Sequence, residues 1–144
     1  MSIRLFYDET NWRLRGSQKI KRVVIKVIES EGYTPGDLNF IFTPDKRMIT
    51  INREFLKHNY YTDVITFSEL TKSEVSGEVY VGFETVKRNA KNYKVSYKDE
   101  LCRVIVHGTL HLCGYNDATD IDRRVMREKE DYWLNYFQKQ EDEF

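Results

Sequence analysis

The sequence predicts an α+β fold of four strands and about five helices, one of them buried. Three observations carry that expectation. Four short segments, residues 3–7, 38–43, 62–67 and 76–83, are rich in β-branched and aromatic residues and read as strands. Between and after them, apolar residues recur at spacings of three and four, the period of helices with one buried stripe. Residues 101–112 are instead apolar nearly all round, which places that helix in the interior.

The elements follow in chain order. Ile3, Leu5 and Tyr7 alternate with polar neighbours as in a strand, and the loop after them ends near Gly16, with Ser17 as N-cap of a helix. Ile20, Val23, Val24, Val27 and Ile28 form its buried stripe, and Gly32 stands just past its end. A turn at Pro35 and Gly36 leads into LNFIFT, the second strand. Asp45 can cap a helix running to about Lys57, with Met48, Ile51, Asn52 and Phe55 on one side. TDVITF and SGEVYVGF are strands three and four, followed by a polar helix over 84–94. Ser96 caps the buried helix; Thr119 or Asp120 starts the last one, with Val125, the Lys129 stem, Tyr132, Trp133 and Tyr136 facing inward. The closing QKQEDEF is expected to fray.

The length, 144 residues, suits one domain over 1–144, and 40% apolar with 14% aromatic residues argues against disorder despite 32% charged ones. The absence of a long apolar run or a signal-peptide pattern leads to the expectation of a soluble cytoplasmic protein without membrane association. Cys102 and Cys113, eleven residues apart in one helix, cannot form a disulfide with each other. Zero net charge argues against holding nucleic acid by bulk electrostatics. Six basic residues between Asn11 and Ile28, with no acidic one among them, form either a local basic face or the solvated side of a helix.

His107 and His111 are four apart on the buried helix, so both imidazoles project from one face and can reach one ion. Two such histidines could equally be core residues bonded to backbone. The continuation decides the matter. Gly114 can take the left-handed conformation that ends a helix and turns the chain back, and Asp117 arrives three residues later. The run H-x-x-x-H-x-x-G-x-x-D repeats the spacing that metzincin proteases use for three ligands. Three ligands leave a position at which a divalent ion such as zinc can bind water and lower its pKa, the arrangement of a hydrolytic site. A structural site would be closed by a fourth ligand, for which Cys113 is the candidate. Metalloproteases carry a glutamate general base after the first histidine, where this chain has Gly108.

HGTLHLCGYND, the upstream INREFLKHNYYTDVITF, the intervening SGEVYV and the trailing Met126 together resemble the YbeY family of bacterial rRNA maturation endoribonucleases, over roughly residues 45–133. The resemblance implies a zincin-like fold with a mixed sheet and a buried metal-binding helix. It also implies one zinc ion, with other divalent metals open, and action on single-stranded RNA at the 3′ end of the small-subunit rRNA and in ribosome quality control. His107 and His111 take the first two ligand positions, and Asp117 falls where most members carry a third histidine. A carboxylate there makes bound water less acidic and harder metals more competitive. Asn116 and Glu78 each stand where an aspartate is usual. Leu56 fills the place of an arginine associated with phosphate contact, and Arg53 or Lys57 can substitute from the adjacent turn. Thr62 and Asp63, with Ser68, flank the third strand as candidate substrate contacts, and Tyr60 and Tyr61 beside His58 could stack bases. Two alternatives stay open: a metalloprotease-like hydrolase, and a non-catalytic ribosome-assembly factor with a structural metal.

Overall fold

The computed structural model describes residues 1–57 and 62–140. The expectations for His58, Tyr60 and Tyr61, and for the tail beyond Gln140, lie outside the described residues. The elements are β1 (Ser2–Tyr7), α1 (Ser17–Ser30), β2 (Thr34–Thr43), α2 (Asp45–Leu56), β3 (Val64–Leu70), β4 (Glu74–Gly82), α3 (Phe83–Tyr93), α4 (Tyr97–Leu112) and α5 (Asp120–Lys139). The sheet runs β1-β2-β4-β3, with β1 parallel to β2, β2 parallel to β4, and β3 antiparallel to β4. It is mixed and four-stranded, as expected. Parallel neighbours need a crossover, which α1 supplies between β1 and β2, whereas β3 and β4 are close enough in sequence to pair as a hairpin.

The pleat divides the side chains between two layers. Val75, Val79 and Val81 of β4 join the main core with Leu38, Phe40 and Phe42 of β2, beneath α1, α4 and the inner face of α5. Ile65 of β3 points the other way, where Met48 and Ile51 of α2 close a smaller cluster against Phe67 and Tyr80. The α1 stripe is buried as predicted. Lys19 is buried with it, its ammonium 4.3 Å from the Phe137 ring centre, so one of the six clustered basic residues is not part of any solvated face.

Several local expectations shift by a residue or a face. Gly16, in the left-handed region, precedes α1 in the N-cap position and Ser17 is the first helical residue. Pro44 takes the corresponding position before α2. Asp45 turns its carboxylate to Thr85 and Arg88 of α3 instead. Pro35 and Gly36 belong to β2, where the register shifts between Pro35 and Leu38, an irregularity that sequence reads as a turn. Phe55 is exposed at the end of α2, its ring edge-on to Phe67. The inward face of α5 is Met126, Glu130, Trp133 and Phe137, while Val125 and Tyr132 are exposed. An aromatic-rich helix end offers two stripes of similar hydropathy, and burial selects the one that continues through Met126. Ser96 and Thr119 do cap their helices, accepting from the backbone N–H of Asp99 and Asp122.

α4 rests directly on the sheet because Gly108 has no side chain. A Cβ at that position would lie 2.9 Å from Cγ1 of Val79 and 3.2 Å from Cγ2 of Val64, both in the packed layer between helix and sheet. Gly108→Ala is therefore expected to destabilise the protein by about 1–3 kcal/mol through overpacking, measured as a lowered midpoint in urea unfolding. An unchanged midpoint would mean that the helix can lift from the sheet freely.

Candidate metal centre

α4 is buried along most of its surface, and its polar positions Glu100, Arg103, His107 and His111 recur at spacings of three and four along one edge. α5 lies along that edge and faces it with Arg123, Arg127 and Glu130, with Met126 among them. The helices thus bound a cavity of about 590 Å³ that Asp63, Asn89, His107 and Asp117 also line.

The turn after α4 brings Asp117 to the histidines. Gly114 has φ +101°, its N–H donates to the carbonyl of His111, and the N–H of Tyr115 donates to that of Leu110. This is the helix ending that a left-handed glycine permits, and it reverses the chain over its own last turn. Tyr115 is then fixed from two sides: its hydroxyl donates to Glu31 at 2.5 Å, and Lys129 reaches the same carboxylate at 3.0 Å. Arg123 donates to the carbonyls of Asp117 and Ala118, holding the next part of the turn.

The three expected ligand atoms form a tight triangle. His107 Nε2 and His111 Nε2 lie 3.0 Å apart, and Asp117 Oδ2 lies 3.3 Å from the first and 3.5 Å from the second. A tetrahedral ion with bonds of about 2.0–2.1 Å sets its ligand atoms about 3.3 Å apart, so the triangle has the size that a zinc ion needs. The outer ring nitrogens are both occupied: His107 Nδ1 donates to Glu130 Oε2 at 2.7 Å, and His111 Nδ1 donates to the Tyr115 carbonyl at 2.9 Å. That pairing leaves each Nε2 lone pair directed at the shared point. These residues form the one group among the described residues that could hold an ion. Cys113, the candidate for a fourth ligand, is not in that group; burial pushes its thiol up to about 12.

The surrounding charges are coupled. Burial pushes the His107 imidazolium down, but the hydrogen bond and charge of Glu130, with Asp117 and Asp63 behind it, outweigh that effect and hold its pKa above the ordinary 6.5. Glu130 is buried and also takes Arg103 at 3.2 Å, while Arg103 bonds Asp131 at 2.8 Å. Burial raises the Asp63 carboxyl above its ordinary value, with His107 pulling the other way; burial and then the Asp63 charge do the same to Glu100.

Of the substrate contacts suggested by sequence, Asp63 lines the cavity and Thr62 stands beside it, its hydroxyl directed to the Val64 carbonyl at 3.4 Å. Ser68 donates to the Leu112 carbonyl and ties β3 to the end of α4. Arg53 and Lys57 are exposed at the end of α2 and are not among the residues lining the cavity. The cations on its wall are Arg103, Arg123 and Arg127, which sequence reasoning missed. Their signal was the repetition of arginines at α5 positions 123 and 127, in register with Glu130, and it was obscured by assigning the inward face of that helix to its aromatic residues.

Fold and site together define a class: a small α+β hydrolase in which a buried helix presents two imidazoles and the chain returns with a carboxylate beside them. Comparison with known proteins gives the family. The sequence model of endoribonuclease YbeY matches residues 7–138. Proteins named endoribonuclease YbeY from Flavobacterium psychrophilum and Flavobacterium johnsoniae are 39% and 41% identical over 132 residues, covering 92% of this chain and 94% and 95% of theirs. The one from Cytophaga hutchinsonii is 39% identical over 135 residues, 93% of this chain and 94% of its own. The solution structure of TM1509 from Thermotoga maritima superimposes with a TM-score of 0.66 at 28% identity, covering 94% of this chain and 89% of that one. The chain belongs to the endoribonuclease YbeY family.

Two outcomes follow from the Glu130–His107 bond. Glu130→Gln is expected to weaken zinc binding by about 10–100-fold in a chelator competition, because the ring loses the acceptor that fixes its orientation and basicity. In the metal-free protein, a histidine raised on folding contributes stability that is fully present below 6.5 and lost as pH rises through the raised value. Metal-free wild type should therefore lose stability over that interval, and Glu130→Gln should show a flatter profile in urea unfolding at matched pH.

Proposed function

We propose that this chain is a metal-dependent endoribonuclease that cuts single-stranded RNA of the small ribosomal subunit, with His107, His111 and Asp117 holding one divalent ion, zinc in the first instance. The observation that carries the reading is the ligand triangle of 3.0, 3.3 and 3.5 Å, in a chain of this family. Such an ion, when bound, supplies Lewis acidity toward water or a phosphoryl oxygen.

The chain's own groups do the rest. Glu130 and the Tyr115 carbonyl orient the two rings through their Nδ1 atoms. Asp63, just before β3 and electrostatically coupled to His107, is a cavity carboxyl that can accept a proton and release it to a departing oxygen. Its raised pKa suits that exchange better than an ordinary aspartate would. The cavity that would take the substrate lies between α4 and α5 and is lined by His107 and Asp117. No helix among the described residues is long and apolar enough to cross a membrane, and Cys102 and Cys113 are free thiols. Both facts support action in the reducing cytoplasm, where ribosomes are assembled.

The metalloprotease alternative loses support at Gly108. A glutamate general base at that position would have to enter the layer where a Cβ already meets Val79 and Val64.

Elemental analysis should find about one ion per wild-type chain and strongly reduced occupancy in Asp117→Ala. Cleavage of a single-stranded RNA oligonucleotide should stop on chelation, return on adding zinc, and be lost in His111→Ala, whose zinc affinity should fall by more than the roughly 10–100-fold expected at Glu130. Metal-free protein cleaving as fast as the zinc-loaded form would refute the proposal.

A further inference from the structure

Arg123, Arg127 and Glu130 stand along one face of α5, at spacings of four and three, and all three line the cavity that holds His107 and Asp117. Two of them are already engaged within the protein. Glu130 holds His107 and Arg103; Arg123 holds the carbonyls of Asp117 and Ala118 and the carboxylate of Asp120. Arg103, the third arginine of the wall, is taken by Glu130 and Asp131.

Arg127 differs. Its side chain is exposed, and among the described residues it makes no hydrogen bond or ion pair; its electrostatic neighbour is the buried Glu100 of α4. It stands about 6 Å, just over one turn, beyond Arg123 along the helix and three residues before the glutamate that touches His107. The cavity also carries four carboxylates, from Asp63, Glu100, Asp117 and Glu130. A polyanion entering it needs a mobile, uncommitted cation close to the ligand triangle, and Arg127 is the guanidinium that meets this description.

We propose that Arg127 binds a phosphodiester group of the RNA in this cavity, next to the site of cleavage. The inference rests on the reading of the cavity as a nuclease site. A guanidinium matches two non-bridging phosphoryl oxygens with two parallel N–H donors, which a lysine cannot reproduce. Because Arg127 does not hold the metal ligands or the turn, its removal should spare ion binding and act on the substrate alone.

The test compares zinc-loaded wild type, Arg127→Gln and Arg127→Lys on one single-stranded RNA oligonucleotide, measuring kcat/KM across a range of salt together with ion content. Arg127→Gln should lower kcat/KM by about 10–100-fold. The slope of log kcat/KM against log salt should become shallower by about 0.7, the signature of one lost phosphate contact on a single strand. Arg127→Lys should restore the slope but only part of the rate. Ion content should be the same in all three. Wild-type rate and slope in Arg127→Gln would overturn the assignment while leaving the nuclease reading intact, and so would a loss of activity that tracked loss of zinc. If zinc-loaded wild type cleaves no RNA, the nuclease reading fails and this assignment fails with it.

Discussion

The structure is organised around one electrostatic constraint, the convergence of two imidazole nitrogens and a carboxylate oxygen within 3.0–3.5 Å on an otherwise apolar helix. Three lone-pair donors at that range repel one another unless a proton or a cation lies between them. Held rings are therefore essential, since a free imidazole would rotate its nitrogen away toward solvent. Both rings are held through the far nitrogen, one by a buried carboxylate and the other by a backbone carbonyl. Each of these acceptors is in turn fixed: Glu130 by Arg103, and the Tyr115 turn by Glu31 and Lys129. The chain of contacts reaches from the sheet-facing helix to α1 and α5, which explains why elements remote from the triangle still bear on its geometry.

The same arrangement separates two kinds of arginine on the cavity wall. Arg103 and Arg123 are spent on internal acceptors, so their positive charge largely neutralises carboxylates and carbonyls of the protein itself. A neutral chain can still bind an anionic polymer if a few cations are left uncompensated in the right place, because association depends on the local field and not on the total. The basic cluster between Asn11 and Ile28 does not provide that field at the site. None of its members lines the cavity, and one of them, Lys19, is buried against Phe137.

Much of this was legible in the sequence. The four strands, the α1 stripe, the caps at Ser96 and Thr119 and the left-handed Gly114 all follow from local patterns, and local patterns govern local hydrogen bonds. The two histidines and Asp117 were legible for the same reason: a helix period and one glycine turn bring them together within eleven residues. What could not be read were the contacts between elements distant in sequence. Glu130 supports His107 from twenty-three residues away, and its role depends on the phase with which α5 packs. Sequence placed that phase on Val125, Tyr132, Trp133 and Tyr136; Trp133 is buried and Tyr136 packs on the core, but Val125 and Tyr132 are exposed and the stripe runs instead through Met126, Glu130 and Phe137. A single step in phase moved Glu130 from the surface to the centre of the site. The Pro35 and Gly36 irregularity escaped similarly, since its bulge is defined by pairing with β4.

Gly108 connects fold and chemistry most directly. Without a side chain there, α4 settles onto β3 and β4 closely enough that Val79 and Val64 would meet an added Cβ. Close approach brings the start of β3 alongside His107, and with it the Asp63 carboxyl. A helix set further from the sheet could carry its own proton acceptor next to the first histidine, as metalloproteases do, but would leave a gap on the β3 side. With glycine there, the carboxyls that line the cavity come from elsewhere, from Asp63 just before β3, Glu100 of α4 itself, Asp117 and Glu130, and the approach of Asp63 to His107 is tied to the packing of the core.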